Sequence, residues 1–153
     1  MSRKTIFWML PLFLLLLSWS HNPIDSTKSV DEIKTANQLI QLVNDHRESL
    51  GISKLVRNSL ADQLAAEHVK YMISKKDVNN DNFEIRWEAL EQQANAKEVT
   101  ENVGFDVSAE KAMNAYLSRV WLRANVEGDY THTGIAVKKD ENGNYFYLQI
   151  FYN

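Results

Sequence analysis

The chain has 153 residues, no cysteine and a formal charge of −3. Without a sulfur nucleophile it can carry neither disulfide staples nor the thioether lipid of a lipoprotein. A mildly acidic balance with no basic patch argues against nucleic acid as a partner.

Arg3 and Lys4 precede an uncharged, mainly apolar run from Ile6 to Leu17, which is the layout of a secretory signal peptide. Ser18-Trp19-Ser20 places small residues where a signal peptidase reads, so residues 1–20 are expected to be removed. The alternative is an uncleaved segment, and only through it would the chain hold a membrane. That run is shorter than the ~20 apolar residues of a spanning helix and contains Pro11. A secreted or periplasmic location is therefore expected. Removal of Arg3 and Lys4 takes the formal charge from −3 to −5. Residues 21–28 read as a polar linker, and residues 29–153 as one domain with room for a sizeable core.

Ser29 to Glu32 spell a capping box, and Ile33, Ala36, Ile40 and Val43 follow at helical spacing. Gly51 is placed to end that helix in the left-handed conformation. A second helix is predicted from Asn58 or Ser59, with Leu60, Leu64, His68, Tyr71 and Met72 along one face. The "DVNNDN" stretch is a loop, because its side chains compete with the backbone for hydrogen bonds. Phe83, Trp87, Leu90 and Ala94 mark a third helix, and "VTENV" an extended segment. Ser108 caps a fourth helix running through Ala112, Ala115, Tyr116 and Val120. "THTGIAV" and "YFYLQIFY" alternate as strands around an Asn-Gly turn signal. Helices followed by a hairpin predict an α+β domain, with helices packed on an antiparallel sheet.

Chemistry is harder to find. His68 sits on an apolar helix face, where a lone histidine is most often a hydrogen-bonded core residue. His46 lies near the end of the first helix, suited to its dipole. No second histidine or cysteine stands at zinc-ligand spacing from them. Asp77, Asn79, Asp81 and Glu88 match a calcium-loop pattern, with Asn82 in the glycine position. Glu84 and Ile85 spoil that pattern, which makes a capped loop the simpler reading. No nucleophile elbow or phosphate loop is present. Glu91, Glu98 and Glu101 are candidates for a carboxylate pair, but surface glutamates at this density are usually solvated.

Six blocks, "LVNDHRESLGISKL", "LADQLAAEHVKYMISK", "NNDNFEIR", "ENVG", "RANVEGDYTHTGIAV" and "YFYLQIFY", occur in the order found in the CAP superfamily. That superfamily holds the cysteine-rich secretory proteins, antigen 5 and the plant pathogenesis-related class 1 proteins. The chain most resembles its small cysteine-free bacterial members, from about Ser29 to Asn153. The resemblance implies a three-layer α-β-α sandwich with a central antiparallel sheet and a cleft. In the family, two histidines and one or two acidic residues line that cleft and can hold a divalent metal, often zinc. Here the "HDNF"-type histidine position is Asn80, and the "HRANI"-type position is Leu122. Glu101 matches the glutamate of the "GEN" motif, with Thr100 before it instead of glycine. His132 belongs to the "DYTHTGI" block; it is not one of the two cleft histidines, and it is a candidate neighbour of the cleft with an expected structural role.

The hydrocarbon at 122 has no lone pair, and an amide at 80 is a poor zinc ligand. One carboxylate and one amide fall short of the three protein ligands of a catalytic zinc site. No cofactor is expected. The expectation is a non-catalytic binding module with a degenerate metal cleft, taking a small apolar ligand, a lipid or a protein. One alternative is a metal-dependent or peptidase-like hydrolase using Glu101. Another is a structural or immunity-type interaction module.

Overall fold

The computed structural model describes residues 26–106 and 108–153, so the apolar N-terminal run and its cleavage position lie outside the described residues. Helix α1 (Ser26–Ser49) begins three residues before the expected capping box. Ser29 is thus inside the helix, and Glu32 reaches the sheet instead, accepting from the Lys139 backbone N–H at 2.8 Å. Gly51 takes the expected left-handed conformation, with φ +73°. The chain then forms β1 (Val56–Arg57), α2 (Ser59–Lys75), α3 (Phe83–Ala94) and β2 (Val99–Asp106). It continues through α4 (Ala109–Ser118), α5 (Val120–Glu127), β3 (His132–Lys139) and β4 (Tyr145–Tyr152).

The strands lie in the order β1-β3-β4-β2. The predicted hairpin pairs β3 with β4, from His132 opposite Tyr152 to Lys139 opposite Tyr145, and β2 lies antiparallel to β4. The two-residue β1 is the exception: it runs parallel to β3, so the sheet is mixed. A strand this brief is too short to leave an alternating pattern, which is why it was not expected.

Strand side chains alternate between faces, and each face has its own core. Ile135, Val137, Tyr147 and Phe151 pack against Leu39 and Val43 of α1, Tyr116 of α4, and Leu122 and Val126 of α5. Ala136, Leu148, Ile150 and Tyr152 pack against Ala61, Ala65, Val69 and Met72 of α2 and Leu90 of α3. The chain is therefore a helix–sheet–helix sandwich, as expected. The buried stripe of α2 is rotated by one residue from the predicted face. Ala61, Ala65, His68, Val69 and Met72 are buried, while Leu60 and Leu64 are only partly covered.

Small residues set that rotation. A Cβ on Gly134 would meet the Ala61 backbone at 2.3 Å, so α2 approaches β3 more closely than a leucine stripe would allow. The Asn58 side chain caps the helix by accepting from the Ala61 N–H. Asp62 accepts from the Ile135 N–H at 2.8 Å and fastens the first turn to the sheet.

The predicted fourth helix is two helices. Arg119 adopts an extended conformation (φ −111°, ψ 121°) between them. Ser108 caps α4 as expected, through the Lys111 N–H.

Candidate functional site

Glu101 occupies β2 opposite Ile150 of β4, and so points to the α2–α3 face. It is not a solvated surface glutamate: it is buried. Arg86, from α3, donates through Nε to Glu101 Oε2 at 2.9 Å and through Nη2 to Oε1 at 2.5 Å. The Asn80 side chain donates to the same Oε1 at 2.8 Å. Oε1 thereby has both lone pairs engaged, and Oε2 one of its two.

The remaining Arg86 nitrogen extends the network. Nη1 donates to the carbonyls of Asp81 at 2.9 Å and Asn82 at 3.3 Å, and lies 3.0 Å from His68 Nδ1. A guanidinium can only donate, so Nδ1 is the acceptor. The other ring nitrogen lies 2.7 Å from the Asn79 carbonyl, which can only accept, so Nε2 carries the proton. His68 is the satisfied core histidine expected of its position. Burial first, with the Arg86 charge adding to it, holds its pKa below the ordinary 6.5, against the opposing pull of the Asn79 carbonyl and Glu101.

Two of the expected cleft residues, Asn80 and Glu101, are thus in direct contact. Leu122 is placed differently. Its side chain is buried in the core of the opposite face, with α1 and α4, and its carbonyl accepts from Asn102 at 3.1 Å. Asn102 follows Glu101 in β2 and so points the other way. Asn125 of α5 donates to the Asn102 side-chain oxygen at 2.7 Å. Glu101 and Leu122 are linked through the main chain of the edge strand, each packing on its own side of the sheet. His132 shares the α2 side; its ring stacks on Tyr152 at 5.0 Å between centroids, and Nδ1 lies 2.8 Å from the Thr131 hydroxyl.

The loop from Asp77 to Asn82 is a hydrogen-bonded turn. Asn82 is left-handed, with φ +58°, as the calcium pattern requires. The donor atoms point elsewhere: Asn79 donates to Asp77 at 3.2 Å and accepts from the Asp81 N–H at 3.1 Å. Asp81 accepts from the Tyr71 hydroxyl at 2.9 Å, and Glu88 lies exposed on α3. Among the described residues no three His, Asp or Glu side chains converge on a common point as metal ligands.

Sequence reasoning missed Arg86. Its signal was its position three residues after Phe83 and four before Leu90, on the apolar stripe of α3, where a charge demands a buried partner. His46 also has a partner beyond the helix dipole, with Nε2 2.8 Å from Glu127 of α5. Beside the cluster, a groove of about 220 Å³ runs between Leu64 and Tyr71 of α2 and Ile85 of α3. A cavity of about 480 Å³ opens elsewhere, between Ile73, Phe105, Phe146 and the β3–β4 turn.

With this architecture in place, comparison with known proteins gives a consistent picture. The family described as CAP, cysteine-rich secretory protein family, matches residues 40–151. Among solved structures the fold is similar to an extracellular protein containing a SCP domain from Bacillus anthracis, with a TM-score of 0.73 and 19% identity, covering 84% of this chain and 43% of that one. It is also similar to an outer surface protein from Borrelia burgdorferi, with a TM-score of 0.69 and 12% identity, covering 76% of this chain and 90% of that one. A cysteine-rich secretory protein from Staphylococcus aureus gives a TM-score of 0.66 at 18% identity, covering 79% of this chain and 38% of that one. This chain therefore spans less than half of the Bacillus and Staphylococcus chains. No curated protein sequence matches it. Among the described residues no helix is long and apolar enough to cross a membrane. The chain belongs to the CAP family of cysteine-rich secretory proteins.

Proposed function

We propose that this protein is an exported binding module that performs no chemistry at the position where its relatives can hold a metal. One observation carries the proposal: the family's glutamate, Glu101, is buried and engaged by both prongs of Arg86 and by Asn80. An internal cation sits on the carboxylate, and a metal would have to displace it. A hydrolase needs Glu101 within reach of a substrate or an activated water, whereas Glu101 is buried with Arg86 and Asn80 on three of its four lone-pair positions. Export fits the extracellular and outer-surface descriptions of similar folds. Room for a small apolar ligand exists in the cavity of about 480 Å³ between Ile73, Phe105 and Phe146, a volume typical of ligand pockets.

Metal analysis of purified protein after incubation with zinc tests the proposal. The expected result is no stoichiometric zinc in the parent, and no change on Glu101→Ala. Stoichiometric zinc that is lost on Glu101→Ala would establish the metal-dependent alternative.

A further inference from the structure

The corner between α4 and α5 exposes a feature that neither core uses. Because Arg119 is extended, the chain turns and starts α5 afresh. Leu122 and Val126, four residues apart, take the buried stripe of the new helix. Val120 and Trp121 are left outside, 70% and 68% exposed. Among the described residues, no other large apolar side chain is more open to solvent than these two. Arg119 and Arg123, on either side of them, are exposed as well. From Lys111 to Val126 the chain has three basic residues and no acidic one, in a protein whose net charge is negative. Beneath the corner, the Asp106 carboxylate raises the pKa of the buried Tyr147 hydroxyl and the Arg119 guanidinium lowers it, both after burial, which raises it most. Arg123 is one helical turn beyond Val120 on the same side of α5.

We infer that this corner is a docking point for an anionic lipid surface: Trp121 and Val120 enter the headgroup layer while Arg123, with Arg119, meets lipid phosphates. Charge complementarity selects the occupant, since clustered cations beside a membrane surface attract anionic lipid. Tryptophan is the side chain best suited to the boundary between headgroups and acyl chains. Size argues in the same direction. A stable protein interface buries about 800 Å² on each partner, whereas a tryptophan buries at most about 250 Å² and the neighbouring valine less. A fluid headgroup layer needs no shaped counterpart, so two protruding side chains suffice.

The test uses the full chain with Trp8→Phe, Trp19→Phe and Trp87→Phe, which leaves Trp121 as the only indole. Vesicles are equal mixtures of phosphatidylglycerol and phosphatidylcholine, or phosphatidylcholine alone. The readouts are the Trp121 emission maximum and its quenching by acrylamide. Both report this corner even where the N-terminal segment tethers the chain to the bilayer. The expected result is a blue shift and protection from acrylamide on anionic vesicles, weakened by salt. Arg119→Glu with Arg123→Glu should abolish the shift, and Val120→Ser should weaken the midpoint about tenfold. Trp121 that stays as quenchable with anionic vesicles as without them overturns the inference. So does an equal shift on phosphatidylcholine alone, or a concentration-dependent shift without vesicles, which would assign the corner to a second protein copy.

Discussion

Arg86 and Glu101 form a two-pronged ion pair between α3 and the edge strand β2, with side chains only 6% and 3% exposed. The pair ties together two successive elements of the chain, its partners 15 residues apart in sequence. Taking both charges out of water is costly, and the geometry offsets that cost only while both partners are present.

A double-mutant cycle follows from this. Arg86→Met or Glu101→Leu alone should cost about 3–5 kcal/mol, because each strands a buried charge. The two together should cost far less than the sum. Urea unfolding of the four proteins measures the coupling. Additive losses would show that the two side chains act independently.

His68 makes stability depend on pH in a defined direction. Its folded-state pKa lies below the ordinary 6.5, so near neutral pH it is uncharged in both states and its full contribution is present. As pH falls below 6.5 the unfolded chain takes up a proton that the folded site resists, and stability drops. His68→Gln, which keeps an acceptor for Arg86 and a donor for Asn79, should flatten this part of the profile. Unfolding free energies of both proteins from about pH 7 to about pH 5 give the comparison. Identical slopes would remove His68 as the cause.

Arg47 holds the α1–α5 corner without a carboxylate in hydrogen-bonding contact. It donates through Nε to Ser53 at 2.8 Å, through Nη1 to Val126 at 2.7 Å and Gly128 at 2.9 Å, and through Nη2 to Tyr130 at 2.9 Å, all to backbone carbonyls. Burial lowers its pKa, but an arginine stays charged. Arg47→Lys should cost about 2–3 kcal/mol, since a single ammonium cannot span four diverging carbonyls. Arg47→Met should cost more. Thermal unfolding ranks the variants, and faster amide exchange at 126–130 would locate the loss.

Gly134 is where β3 and the start of α2 touch. An added methyl would lie 2.3 Å from Ala61 and 2.5 Å from the Asp62 nitrogen, backbone that cannot move without breaking the Asp62 bond to Ile135. Gly134→Ala should therefore destabilise by about 3 kcal/mol, the upper range for overpacking. Gly104→Ala should cost less, because its close neighbour is the Tyr147 ring and not a helix backbone. Equal losses would show that α2 can shift freely on the sheet.

Much of this molecule is legible in one dimension. Hairpin alternation, the Asn58 and Ser108 caps and the Gly51 turn are local, so short-range periodicity and hydrogen-bonding chemistry reveal them. The six ordered blocks were enough for the fold, whereas the burial of Glu101 was not legible among the other glutamates near it. The same local logic identified His68 as a satisfied core histidine before its partners were known.

The long-range relations were settled only by the folded chain. The α2 stripe turned by one residue because Gly134 and Ala61 permit a close approach that leucines would block. No glycine or proline marks the break at Arg119, so local propensity gave no warning of α5. Leu122 lies in the opposite core because α5 packs on the face to which Asn102, not Glu101, points, a separation invisible in a motif. Arg86 gained its meaning only when packing brought a buried charge from α3 against a buried charge from β2. Local chemistry fixes what each segment prefers, but the identity of a buried charge's partner depends on which side chains the core forces onto one face of the sheet.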